Sequence, residues 1–251
     1  MGHPPRLRGW HLGDSTYNRC GSSAVKIYTV TRYTETVTII QAGVVAEMTG
    51  LTETEKSRIA VLGTLAEFHR EPIPFDLAAL VQLVDDLAPD FLCLELTPQR
   101  WQQQDFSDLP PEFGEALLPL AYQTDMVVAP IAEADPPAEP TASGWRGWLI
   151  ERLRWGLALI VRSAPDATAM NQGWRHDWAN MLYSAIARLA GGDVEHRWHA
   201  HQQHMMAQVR QLAQRDPGRR ILVVVNVRHC HHLRPALSND PELEVVPFSD
   251  L

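Results

Sequence analysis

The chain is short of cysteine, of basic charge and of long apolar runs, and each shortage excludes something. Its three cysteines, Cys20, Cys93 and Cys230, are widely spaced and form no C-x-x-C pair. That excludes a disulfide framework and a cysteine-built zinc knuckle, and it suits a reducing compartment. A net charge of −8 argues against a general nucleic-acid binder, which would carry a basic face. The longest apolar run, residues 155–161, is far below the roughly 20 residues that a membrane span needs. No N-terminal segment has the order of a signal peptide, and no internal repeat recurs. The expectation from these absences is a soluble cytoplasmic protein with no nucleic-acid partner and no membrane span.

What is present centres on residues 59–101. Residues 59–62 form a short apolar run stopped by Gly63, as expected of a buried strand. Leu77, Leu80, Val81, Val84 and Leu87 then recur at helical spacing, and Pro89 ends the pattern. Residues 91–94 make a second apolar run, closed by Glu95. A strand–helix–strand unit of this length predicts two parallel, adjacent strands whose ends share one sheet edge, where ligands bind in open parallel sheets. Glu67, His69 and Arg70 would meet Glu95 and Arg100 there.

The flanking segments extend this α/β pattern. Residues 1–58 form a poorly defined N-terminal extension, in which residues 25–40 alternate Thr with Val, Ile and Tyr in strand-like fashion. Met48 opens a polar lead-in of the kind expected at a true N-terminus, so residues 1–47 are expected to be dispensable. After the central unit come a helix over 110–122, a third strand over 126–131, and a stiff loop at Pro136, Pro137 and Pro140. Three helices follow over 145–161, 174–189 and 194–214. Six of the eight tryptophans fall between 145 and 198; a packed helical core is favoured over a membrane-surface helix, although Arg146, Arg152 and Arg154 accompany the aromatics. Residues 220–225 are the strongest strand, and 232–237 and 243–246 predict a short helix and a last strand. The expected fold is α/β: a single domain over 59–251 with a mostly parallel sheet built from βαβ units, and an added layer of Trp-rich helices inserted over about 144–215.

Ionisable residues gather at the strand ends: Glu67 and His69, Glu95 and Arg100, Glu133 and Asp135, and His229, His231 and His232. Carboxylates and imidazoles on one edge suit a divalent metal such as manganese, cobalt or zinc, and equally general acid–base work. On the helix over 194–214, His199 and His201 border opposite margins of the apolar side and His196 and His204 point outward, so most of these histidines are expected on the surface. Gln202 lies on the apolar side, where a polar group needs a partner and a pocket wall can supply one.

Gly63-Thr64, then Pro89, Asp90, Glu95, Leu96 and Arg100, then Val223–Val225 with His229, resemble the motifs of the TraB/PrgY family. Its relatives are the Tiki metalloproteases, the haem-binding ChaN proteins and the erythromycin esterases. The chain departs from that pattern at Ala66, where the family has His, and at Asn226 and Arg228, where it has Gly. The resemblance implies an α/β fold and metal-dependent hydrolysis of a small-molecule or peptide substrate. Glu95, Arg100 and His229 are the implied catalytic residues, and His69, Glu95 and His229 the metal ligands, with His69 replacing the missing histidine. Glu67, Gln202 and His231 are expected to line the ligand site. The alternative is a non-catalytic member that holds haem or a small ligand.

Overall fold

The computed structural model describes residues 55–251 in full and, before them, the backbone of three strands. The chain divides into two compact units, Met1–Glu53 and Thr54–Leu251. In the first, β1 (Tyr17–Cys20), β2 (Ser23–Arg32) and β3 (Glu35–Gln41) pair as an antiparallel sheet in that order. The Thr/Val alternation over 25–40 thus forms paired strands, while Met48 lies outside the described residues.

The second unit runs β4 (Arg58–Thr64), a 3-10 turn (Ala66–Arg70), α1 (Leu77–Leu87), β5 (Phe91–Leu94) and α2 (Pro98–Gln103). A π-helical stretch (Glu112–Leu117) leads into α3 (Leu118–Ala121) and β6 (Val127–Pro130). Pro119 has no N–H to offer the Glu115 carbonyl four residues back, and the preceding turns widen. Then come α4 (Gly144–Arg162), α5 (Ala167–Asn171), α6 (Gly173–Ala190), α7 (Gly192–Arg215), β7 (Arg220–Asn226), α8 (Val227–Ser238) and β8 (Glu244–Val245).

The sheet is parallel throughout, in the order β6-β5-β7-β4-β8. This corrects one expectation: β4 and β5 are parallel but not adjacent, because β7 lies between them. The cause is in β7 itself. Ile221, Val223 and Val225 are buried on one side of the sheet, against Met205, Val209 and Leu233. Leu222 and Val224 are buried on the other, against Leu80, Val84 and Leu117. A strand apolar on both faces belongs at the centre of a doubly covered sheet. A second correction concerns the short helix expected over 232–237, which begins earlier, at Val227. Asn226 caps α8 by accepting from the Arg228 N–H at 3.2 Å, so the histidines after β7 ride on its opening turns.

The third correction is to the tryptophans. Trp145, Trp148, Trp155, Trp174 and Trp178 are exposed, so α4 and α6 are not a core packed around them. Among the described residues, no helix is long and apolar enough to cross a membrane.

Candidate metal centre

Three elements converge at the C-terminal edge of the sheet. Leu94 ends β5 in register with Val224, which brings the next residue, Glu95, beside the end of β7. There its Oε2 accepts from the Asn226 N–H at 3.4 Å. His229 follows Asn226 by three residues, on the first turn of α8. Buried His201 comes from α7, which covers this side of the sheet.

The three side chains meet head on. His201 Nε2 donates to Glu95 Oε1 at 2.8 Å, and His229 Nε2 lies 3.3 Å from the same oxygen. All three ligand atoms fall within 4.8 Å of one another. Metal–ligand legs of 2.0–2.1 Å arranged tetrahedrally would set neighbouring ligand atoms about 3.3 Å apart, so the spacing suits a small divalent ion after slight movement. The donor set, two imidazoles and one carboxylate, is that of catalytic zinc sites and also accepts cobalt or manganese.

The electrostatics agree with that fit. His229 is fully buried, and its Nε2 makes no well-aligned hydrogen bond, although Glu95 Oε1 lies 3.3 Å away. Burial pushes the His229 pKa down, against the upward pull of the Glu95 carboxylate beside it. For Glu95 burial acts upward, but the histidines beside it, His229 foremost, outweigh burial and hold the carboxyl well below its usual range. At His229 Nδ1 the Gln202 amide makes a 3.1 Å hydrogen bond. There the Gln202 Nε2 donates to Nδ1; with the amide turned end for end, Oε1 would accept from Nδ1–H and leave His229 Nε2 free to ligate. Trp198 packs against the same imidazole, with ring centroids 5.2 Å apart.

The other expected site residues are spread around this cluster. His69 is buried but belongs to the fold, not to the metal set. Its Nε2 accepts from the Leu65 N–H and its Nδ1 donates to the Phe75 carbonyl, each at 2.9 Å. With both nitrogens occupied by backbone, it has none to give a metal, and burial pulls its pKa down to about 4. Arg100 lines a depression with Glu95 and Ala66, but its guanidinium is spent on Asp135, at 3.0 and 3.1 Å, and on the Ser107 carbonyl. Glu67 lines the same depression from its rim, exposed and paired with Arg70. His201 opens on a second depression with Glu133 and Arg197. Ala134 and Asp135 border both, so the loop leading into Pro136 and Pro137 lies over the cluster.

Behind His229 is a cavity of about 240 Å³ between α4, α6, α7 and α8, lined by Trp198, Gln202, Arg228 and His231 among others. His231 has no partner at either ring nitrogen, and Trp198 Nε1 and Arg228 Nε are likewise buried and unpartnered.

Two residues of this region escaped the sequence reading. The sequence puts His201 at a margin of the apolar side, among histidines expected on the surface. It stands one position before Gln202 and three after Trp198, on the same side of α7, which was the available signal. Glu112, at the start of the π-helical stretch, is buried, accepts from Thr64 Oγ1 at 2.9 Å, and leaves Oε2 unpartnered. Burial raises its pKa, so among these carboxyls it is the one inclined to hold a proton. Cys93 and Cys230 are buried thiols pushed up to about 12 and about 11, unsuited to act as nucleophiles. Comparison of the chain with protein-family models, with curated proteins and with solved structures finds no match.

Proposed function

We propose that the Thr54–Leu251 unit is a divergent TraB-like metal-dependent hydrolase that holds one divalent ion, zinc, cobalt or manganese, on Glu95, His201 and His229. The observation that carries this reading is the buried cluster in which the Nε2 atoms of His201 and His229 both face one Glu95 oxygen, all three within 4.8 Å of one another. A bound ion of this type supplies Lewis acidity toward a carbonyl oxygen and lowers the pKa of water. The chain's own groups do the rest. Glu95 brings negative charge, Gln202 orients His229, and Glu112 is a buried carboxyl beside the sheet edge whose pKa burial raises. Peptides, esters and amides are the substrate classes that fit this chemistry.

The imidazole absent at Ala66 is in this reading replaced by His201, from a different element. Ala66 has φ +50°, a left-handed conformation that His tolerates better than most residues. The test is metal content of protein purified without a histidine tag, together with ester hydrolysis by the metal-loaded chain. One equivalent of metal, lost with activity in Glu95→Gln while the protein stays folded, is the expected result. Absence of metal from the unaltered protein sinks the reading.

The cavity behind His229 favours a second reading, a non-catalytic protein that binds haem or another small ligand beside Trp198 and Arg228. A metal-free protein that develops a strong visible band on haem addition would select it.

A further inference from the structure

Two neighbouring helices carry aromatic stripes turned away from the core. On α4, Trp145, Trp148 and Trp155 are 68, 63 and 62% exposed, and Leu159 continues the row. Their spacing, with Arg152 between them, follows one side of a helix, and Ile150, Leu157 and Val161 are buried on the opposite side. The pattern repeats on α6, where Trp174, Trp178 and Met181 are exposed and Ala179 and Ile186 buried. α4 and α6 pack against each other, and each turns its aromatic stripe outward. Both helices are apolar on two sides, and only one of these is used by the fold. Exposed apolar surface concentrated in this way marks an interaction site.

Charge identifies the occupant. α4 and α6 together hold six arginines against two carboxylates, in a chain whose net charge is −8. Arg146 lies over Trp145 at 5.6 Å, Arg152 over Trp148 at 5.5 Å and Arg175 over Trp174 at 4.5 Å. None of these three makes an ion pair among the described residues. Arg154 and Arg162, on the flanks of the α4 stripe, are paired with Glu139 and Glu151 and with Glu71. Cations are thus left unneutralised beside the exposed indoles. Tryptophan is the side chain that settles at the headgroup level of a bilayer, and arginine is drawn to anionic headgroups. A second copy of the same face would instead bring unpaired arginines against arginines.

We propose that the Trp/Arg face of α4 and α6 docks the protein on an anionic phospholipid bilayer, lying in the headgroup layer without crossing it. This surface is separate from the metal centre, and its docking does not depend on the function proposed for that centre.

The test is co-sedimentation of the full chain with vesicles of phosphatidylcholine, with and without phosphatidylglycerol. Binding to the anionic vesicles should be at least tenfold tighter than to neutral ones and should weaken as salt is raised. Each arginine near an anionic surface contributes about fivefold, so Arg146→Ala with Arg152→Ala should lose about 25-fold. Trp148→Ala with Trp155→Ala should lose more than tenfold, with metal content unchanged. In the unaltered chain, lipids brominated near the headgroup should quench tryptophan emission, a readout independent of any variant. Failure to bind anionic vesicles, or undiminished binding by both variants, overturns the proposal. So does a dimer in solution that the paired Trp→Ala variant converts to monomer, which would assign the face to self-association.

Discussion

At the scale of single residues, His69 and His201 exchange the roles that their neighbourhoods in the sequence imply. His69 sits in the loop after β4 and reads as a ligand, yet both its nitrogens serve backbone groups. His69→Gln should therefore leave metal affinity unchanged and lower stability by about 1–3 kcal/mol in denaturant titration, the cost of buried groups left unpaired. Its pKa falls from 6.5 to about 4 on folding, so the unfolded state takes up the proton first. The contribution is complete above pH 6.5 and is lost as pH falls from there to about 4, on the order of 3 kcal/mol in total. Stability measured across that window should fall less steeply in His69→Gln than in the unaltered protein; equal slopes would contradict the assignment. His201→Ala should do the reverse, leaving the α7 packing intact and weakening metal binding by well over 100-fold in calorimetric titration. A ligand matters more than the residues that orient it, whose loss costs about 10–100-fold, and Gln202→Leu should fall in that lower range.

At the scale of elements, the candidate metal centre depends on how closely α8 approaches β4. A Cβ on Gly63 would stand 2.8 Å from Cys230 Sγ and 2.8 Å from the Val227 backbone. Buried Asn171 ties the same place, accepting from the Gly63 N–H at 2.6 Å and donating to its carbonyl at 3.1 Å. Gly63→Ala must push α8 outward, and His229 with it. The expected outcome is a loss of about 1–3 kcal/mol in stability with a measurable loss of metal affinity; unchanged values of both would show that α8 is not anchored there. Much at this scale was legible in the sequence. The apolar runs mark β4, β5 and β7, Pro89 stops α1 soon after Leu87, and Gly191 ends α6. Glu95 and His229 are visible as polar residues closing two of those runs. What local pattern does not carry is pairing between distant segments. β7 enters between β4 and β5 from more than a hundred residues away, and that insertion makes Glu95 and His229 neighbours. His201 was hidden for the same reason, since nothing within α7 says which element will cover its margin.

At the scale of the whole molecule, the two buried clusters flanking the parallel sheet are built, among the described residues, from the Thr54–Leu251 unit. That unit made alone should unfold cooperatively and retain metal stoichiometry; a molten or insoluble product would contradict its independence. Its sheet edge gathers two imidazoles and a carboxylate from three elements around one volume, and the account stands on whether that volume takes a metal. The most direct measurement is an anomalous-scattering map of crystals grown with zinc or manganese. The account predicts one strong peak within bonding distance of Glu95 Oε1, His201 Nε2 and His229 Nε2. No peak there, or peaks only at the outlying histidines His196, His199 and His204, would contradict it.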